Sequence, residues 1–358
     1  MAQQRSPKDA ETASPYQVTR RIPFAQRLVE QATEDYVEQA FKQHAAESRK
    51  VALVSKREPP SLKTTSHNTF ASVSKQPVSE VTVEDPQLCL VYKKDILVNM
   101  LKLEQAPCYI VKENFILALQ REVTPRMRTL LLDWLHAVHV RFNLLQETYN
   151  LCVDLIDRSI QTLAIAKTNF QLLGVTCMHV AAKFEEIYPP TIDDYVYVTD
   201  NTYSAQEIRK QEILVLKSLH YRISRPLAIQ FLRQLSAEGN ASVVEHNMAK
   251  FLLDVSIMDQ KVASCLPSQR AAAALLLAVR ILKREGRMQS LRIDKALSLF
   301  CLVPSPSPTS VRKQVAALAE QFLSALRWMR KSRYKSVFEK YSGSRYYHVS
   351  DVKAVKEL

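Results

Sequence analysis

The chain has 358 residues, 47% of them hydrophobic, enough for two compact domains with cores of their own and a tail. Only four glycines occur (Gly174, Gly239, Gly286 and Gly343), which argues against turn-rich β folds and against Gly-rich phosphate loops; the abundant Leu, Ala, Gln, Glu, Lys and Arg favour helix. The formal net charge of +13 suits an acidic partner without choosing among nucleic acid, membrane surface and protein, and from Arg327 to Leu358 nine Lys and Arg face only three acids.

Residues 1–84 are polar, rich in Pro, Ser, Thr and Gln, and aperiodic around Ser61 to Lys75, the composition of a disordered tail with one marginal helix over 26–41. From Asp85-Pro86 an amphipathic helix is predicted on Leu88, Val91, Tyr92, Ile96 and Met100. Pro125 then opens a strong helix, with Met127, Leu130, Leu131, Trp134, Leu135 and Val138 at helical spacing. Further helices are predicted over 147–162, 169–186, 192–198 and 204–219. The one over 169–186 is apolar on nearly every side, so it is the buried centre of its unit, and its small residues Gly174, Ala181 and Ala182 let neighbours approach closely. Ser204 and Glu207 have the spacing of a capping box. After Arg225-Pro226 the pattern restarts, with helices predicted over 226–237, 242–258, 267–284, 289–300 and 307–328 and a second all-round apolar helix from Ala271. The expectation is all-α: two consecutive five-helix domains, 85–224 with a preceding N-terminal helix and 225–345, then a tail over 346–358.

No stretch of 18 apolar residues predicts a membrane span, and the first fifteen residues lack an apolar signal core. The six cysteines (Cys89, Cys108, Cys152, Cys177, Cys265, Cys301) form no CxxC pair and read as reduced, mostly core residues, which places the protein in the cytoplasm and nucleus. His136 and His139 have a zinc-compatible spacing, but with no third ligand nearby they read as a packed pair, and no metal or cofactor is expected. The acids Asp193 and Asp194 suit a helix N-terminus, and no hydrolase, metalloprotease or P-loop motif is present, so the residues do not describe an enzyme. The Arg327–Arg345 tract interleaves bases with Trp328, Tyr334, Phe338 and Tyr341; a terminal helix with one packing side explains it better than nucleic-acid binding.

The stretch MRTLLLDWL from Met127 to Leu135 resembles the signature that opens the cyclin box. EDPQLC (Glu84–Cys89), REVT (Arg121–Thr124), FNLLQET (Phe142–Thr148), IDR (Ile156–Arg158), KFEEIYPP (Lys183–Pro190), VTDNTY (Val198–Tyr203) and SRPLAIQFLR (Ser224–Arg233) are likewise similar to B-type, G2/mitotic-specific cyclins, from Glu84 to about Ser350. The resemblance implies a cyclin fold and a non-catalytic subunit that binds and activates a cyclin-dependent Ser/Thr kinase one to one at the G2/M transition. It implies that Arg128 and Asp157 tie the first two box helices together. It implies a kinase contact by Lys183 and Glu212 with Phe184, Leu216 and Tyr221 as apolar anchors; a snorkelling lysine and an intrahelical glutamate pair are the plainer alternatives.

Met127, Leu131, Trp134 and Gln171 resemble the patch where cyclins dock Arg-x-Leu segments of substrates and inhibitors, or they are core. Ala137 stands where the A type has an acid, which removes a charge partner for the docking arginine. Arg233, His246 and Lys250 match a phosphate pocket of B-type cyclins, or form an ordinary basic helix face. A ubiquitin ligase for mitotic degradation is a further implied partner. Yet no Arg precedes a Leu by three positions before Glu84, and the KEN sequence Lys112-Glu113-Asn114 lies close to the folded box. A cyclin-fold scaffold for other proteins or DNA is the alternative function; Lys183 with Glu212 counts against it.

Overall fold

The computed structural model describes residues 92–288, 291–302 and 308–357. The predicted tail over 1–84, its helix over 26–41, and the Asp85-Pro86 helix start lie outside them. Within them the regular structure is helical.

Helix α1 (Lys93–Leu103) and the short α2 (Phe115–Leu119) lead into the first repeat. That repeat is α3 (Pro125–Arg141), α4 (Gln146–Ile160), α5 (Phe170–Glu185), α6 (Ile192–Val198) and α7 (Ala205–Ser218). The second is α8 (Ala228–Glu238), α9 (Val243–Ile257), α11 (Pro267–Arg284), α12 (Ile293–Leu297) and α13 (Pro308–Lys331), with the single turn α10 (Gln260–Ala263) between α9 and α11. Short helices α14 (Ser336–Ser342) and α15 (Lys353–Lys356) close the chain.

Local chemistry sets these boundaries. Thr124 caps α3, its hydroxyl accepting from the Met127 amide, and Pro125 sits at the first helical turn, where a missing N–H costs nothing. Reciprocal capping boxes start α6 (Thr191 with Asp194), α7 (Ser204 with Glu207) and α9 (Ser242 with Glu245). The Asp193-Asp194 pair is thereby explained by the helix start rather than by carboxylate chemistry.

Two helices organise the packing. α5 lies against α3, α4 and α7, and every residue from Phe170 to Ala182 is buried. α11 plays the same part against α8, α9 and α13. A Cβ built on Gly174 would stand 2.7 Å from the Leu131 Cδ1, so glycine here lets α3 and α5 approach. Leu131 is correspondingly a core residue with no exposed surface.

The helix over 289–300 and the tail over 346–358 are corrected, and α4 adds a finding of its own. α4 is buried along its whole length, although Asp154, Asp157 and Arg158 interrupt its apolar pattern. Those charges are paired: Arg158 donates to Asp154 at 3.0 Å, and Arg225 donates to the other oxygen of the same carboxylate. The helix predicted over 289–300 is only the five residues of α12 followed by a 3-10 turn over Ser298–Leu302. The stretch 346–358, expected as a tail, packs onto the second repeat over 349–355. There Val349, Ser350, Val352, Ala354 and Val355 are buried, and Arg330 donates to the Val355 carbonyl. Of the cysteines, Cys152 and Cys177 are core, but Cys108 is exposed and Cys265 half-buried.

Candidate functional site

The Lys183 amine on α5 donates to the Glu212 carboxylate on α7, so two adjacent helices present one ion pair at the surface. Neither side chain turns into the core: Lys183 is exposed and Glu212 half-buried. The pair stands among apolar groups that water would not ordinarily be asked to solvate. Phe184 is exposed next to the lysine, and Ile187 and Tyr188, just past the end of α5, are 87% and 92% exposed. On α7, Ile213 and Leu214 are exposed, Leu216 is half-buried, and Tyr221 follows in the left-handed region at φ 58°, its amide donating to the Leu216 carbonyl at 2.9 Å. A cluster of large exposed side chains of this kind marks an interaction surface.

Lys183, Glu212, Phe184, Leu216 and Tyr221 are the contact residues that the family resemblance implies; Ile187, Tyr188, Ile213 and Leu214 join them only in the structure. The sequence did carry a signal for them. Ile187 and Tyr188 precede Pro189-Pro190 in an irregular segment, and Ile213 and Leu214 fall off the Ile208–Val215 stripe that α7 buries.

Buried bonds join the two repeats. Arg128 is buried and grips Asp157 with two bonds, Nε to Oδ1 at 2.6 Å and Nη2 to Oδ2 at 2.7 Å. Its Nη1 donates at 2.9 Å to the carbonyl of Ile257, the last residue of α9. Burial opposes the Arg128 charge, but Asp157 more than offsets it, holding the guanidinium above its usual range. One residue therefore fastens α3 to α4 and both to the second repeat. Thr129 adds a bond to the Met258 carbonyl at 3.1 Å.

A second buried network crosses the same joint. Asp254 on α9 accepts from Gln146 at 2.7 Å, Tyr341 at 2.8 Å and Lys340 at 3.1 Å. Burial disfavours its charge, yet Lys340 and His136 outweigh that and keep the carboxyl well below the usual range. His136 and His139 lie here, their rings 5.7 Å apart and both against Tyr149. Burial lowers both imidazoles. Among the described residues no three His, Cys, Asp or Glu come together as a metal site.

Arg233 and Lys250 lie close enough for their charges to act on His246. His246 is pushed down to about 4 by burial and by the neighbouring charges of Lys250 and Arg233. Its Nδ1 lies 2.8 Å from the Ser236 hydroxyl. Burial likewise lowers Lys250, which stands 5.9 Å from the Tyr346 ring centre, and Arg233 is half-exposed and ion-paired with Glu147 of α4.

With this geometry in view, relationship settles the class of molecule. Residues 95–224 match the cyclin N-terminal domain family and residues 226–354 the cyclin C-terminal domain family. A G2/mitotic-specific cyclin-B of Hydra viridissima is 36% identical over 282 residues, 78% of this chain and 68% of that protein. This chain belongs to the B-type cyclins. Another relative, from Arbacia punctulata, is 42% identical over 202 residues, 56% of this chain and 49% of that cyclin-B. Against the first such relatives the chain spans about half their length. A viral cyclin from herpesvirus saimiri shares the fold, with TM-score 0.54 and 20% identity over 65% of this chain and 97% of that one.

The remaining cyclin motifs fall as follows. Met127 and Trp134 are half-buried on the outer face of α3, Gln171 is almost covered on α5, and Ala137 is exposed one turn beyond the tryptophan. Leu131 is corrected: packed over Gly174, it supports this face from beneath and cannot line it. The KEN sequence is built into a turn. Lys112 donates its amide to Gln161 at 2.9 Å, and Asn114 adopts φ 51° at the start of α2, whose Phe115 is buried.

Proposed function

We propose that this cyclin is the regulatory, non-catalytic subunit of a cyclin-dependent Ser/Thr kinase, bound one to one. The observation that carries the reading is the Lys183–Glu212 pair standing outward amid Phe184, Ile187, Tyr188, Ile213, Leu214 and Tyr221 on a member of this family. The pair supplies an ammonium and a carboxylate for backbone or side-chain partners, and the surrounding side chains supply apolar area for a partner to cover.

Activation then follows from differential affinity. A kinase is competent when a glutamate on its mobile helix pairs with the lysine that holds the ATP phosphates. A cyclin face complementary to that helix in its inward position shifts the population toward the competent state. The kinase performs the phosphoryl transfer with ATP and magnesium; this chain binds neither.

Expression at the G2/M transition is proposed from the names of the relatives, and cytoplasm and nucleus are the proposed compartments. Met127, Trp134 and Gln171 are the proposed docking face for Arg-x-Leu segments, with Ala137 weakening the preference for arginine. Arg233, His246 and Lys250 are proposed to take a phosphoryl group: two cations lie near a histidine there, with Arg233 ion-paired to Glu147. A ubiquitin ligase remains a proposed partner, but the folded KEN turn is a poor site for it, because its backbone is already bonded to α4's end.

The test is to add the purified chain to a monomeric mitotic cyclin-dependent kinase and follow histone phosphorylation. A saturable rise in rate is expected; no rise at any concentration of chain overturns the proposal.

A further inference from the structure

A groove of about 750 Å³ runs along the side of the joint, away from the Lys183–Glu212 pair in sequence and built from both repeats. Pro125, Arg126 and Thr129 of α3 form one wall. The Met258–Lys261 connection forms another, and the end of α13 with its following turn, from Ser324 to Tyr334, completes it. The floor is apolar: Met258, Ala325, Met329 and Tyr334 are buried side chains whose edges line it. Trp328 stands on the rim, 50% exposed, its ring 5.8 Å from that of Tyr334. A tryptophan half in water beside an apolar trough is the residue type most enriched in binding hot spots.

The rim is mainly basic. Arg126, Lys261 and Arg333 are all exposed around the opening. The lining has a single acid, Asp259, and its Oδ1 accepts the Lys261 amide at 3.0 Å as the cap of α10. Arg330, on the same turn of α13, is tied away to the Val355 carbonyl.

We infer that this groove docks an acidic linear peptide of a partner protein, with an aromatic or aliphatic side chain set against Trp328 and over Met258 and Met329. Charge complementarity selects the peptide's sign, and the groove's volume is that of a site for a few side chains. Single-stranded nucleic acid fits less well. Base stacking needs successive exposed rings along a basic track, and here one ring is exposed while Tyr334 is buried. Trp328 and its basic neighbours thus have a use beyond ending a helix.

The probe is a short fluorescein-labelled peptide of Asp and Glu around one Phe and one Leu, titrated into the full chain and followed by anisotropy. Micromolar binding is expected, weakened about tenfold by Arg333→Glu, by Lys261→Glu and by Trp328→Ala. The three substituted side chains are exposed, so melting curves of the variants should match the parent. A peptide with Lys in place of the acids should not bind, and an Arg-x-Leu peptide should not displace the probe. Three results overturn the inference: no binding at millimolar peptide, affinity unchanged in all three variants, or tighter competing binding by a short oligothymidylate, which would assign the groove to nucleic acid.

Discussion

Replacing Lys183 and Glu212 together by alanine is expected to weaken kinase binding by ~2–5 kcal/mol, the cost of removing charged groups that become desolvated and hydrogen-bonded in an interface. Stability of the free chain should barely change. The two side chains already bond each other at the surface, and an ion pair in that setting contributes only about 0–1 kcal/mol, because water and salt screen it. This separation makes the prediction sharp: unchanged melting with a loss of affinity of about 30-fold or more. Affinity within threefold of the parent, by titration calorimetry, would sink the assignment of this pair. Phe184→Ala and Tyr188→Ala should also lose affinity without loss of fold, since neither is part of the core.

Asp157→Ala is expected to be the most damaging single change to the fold, at ~3–5 kcal/mol, because it strands the buried Arg128 guanidinium without its counter-charge. That is a large part of the ~5–15 kcal/mol by which a domain is stable. The paired change Arg128→Met with Asp157→Leu removes both charges and should recover much of the loss, since a buried ion pair replaced by apolar groups is often close to neutral. Recovery will be incomplete, because the Ile257 carbonyl loses the donor that crosses the repeats. Urea unfolding of the three proteins measures it. A loss below about 1 kcal/mol for Asp157→Ala would show that the arginine finds another partner or water, contrary to the geometry.

How much of this was legible in the chain depends on which physical signal each feature carried. The two central helices were visible for related reasons: α5 is apolar on nearly every side, and α11 carries the apolar run from Ala271 to Leu275, although Arg280, Lys283 and Arg284 give it an exposed basic face. The starts of α3 and α7 were visible in Pro125 and in Ser204 with Glu207, where the chemistry of a helix start is local. The burial of α4 was not. Asp154, Asp157 and Arg158 look like a wet face until Arg128 and Arg225, distant in sequence, are brought beside them. Leu131 illustrates the reverse error: on the periodic pattern it shares a face with Met127 and Trp134, but Gly174 opens a recess that draws it inward. The packing of Val349 to Val355 was hidden because short, weakly periodic segments signal little by themselves.

Of the candidate contact face, the charged pair and three anchors came from resemblance to a family. The exposed Ile187, Tyr188, Ile213 and Leu214 came from the structure, in which no neighbour among the described residues covers them. Apolar periodicity points to what a chain buries in itself. What it leaves for a partner becomes evident only once the fold has used the rest.

The most direct measurement is amide hydrogen exchange of the chain alone and mixed with a monomeric mitotic cyclin-dependent kinase. The account predicts new protection concentrated in two segments, from Lys183 to Tyr188 and from Glu212 to Tyr221, with the Arg233, His246 and Lys250 surface unchanged. Complex formation with no added protection in either segment would contradict it.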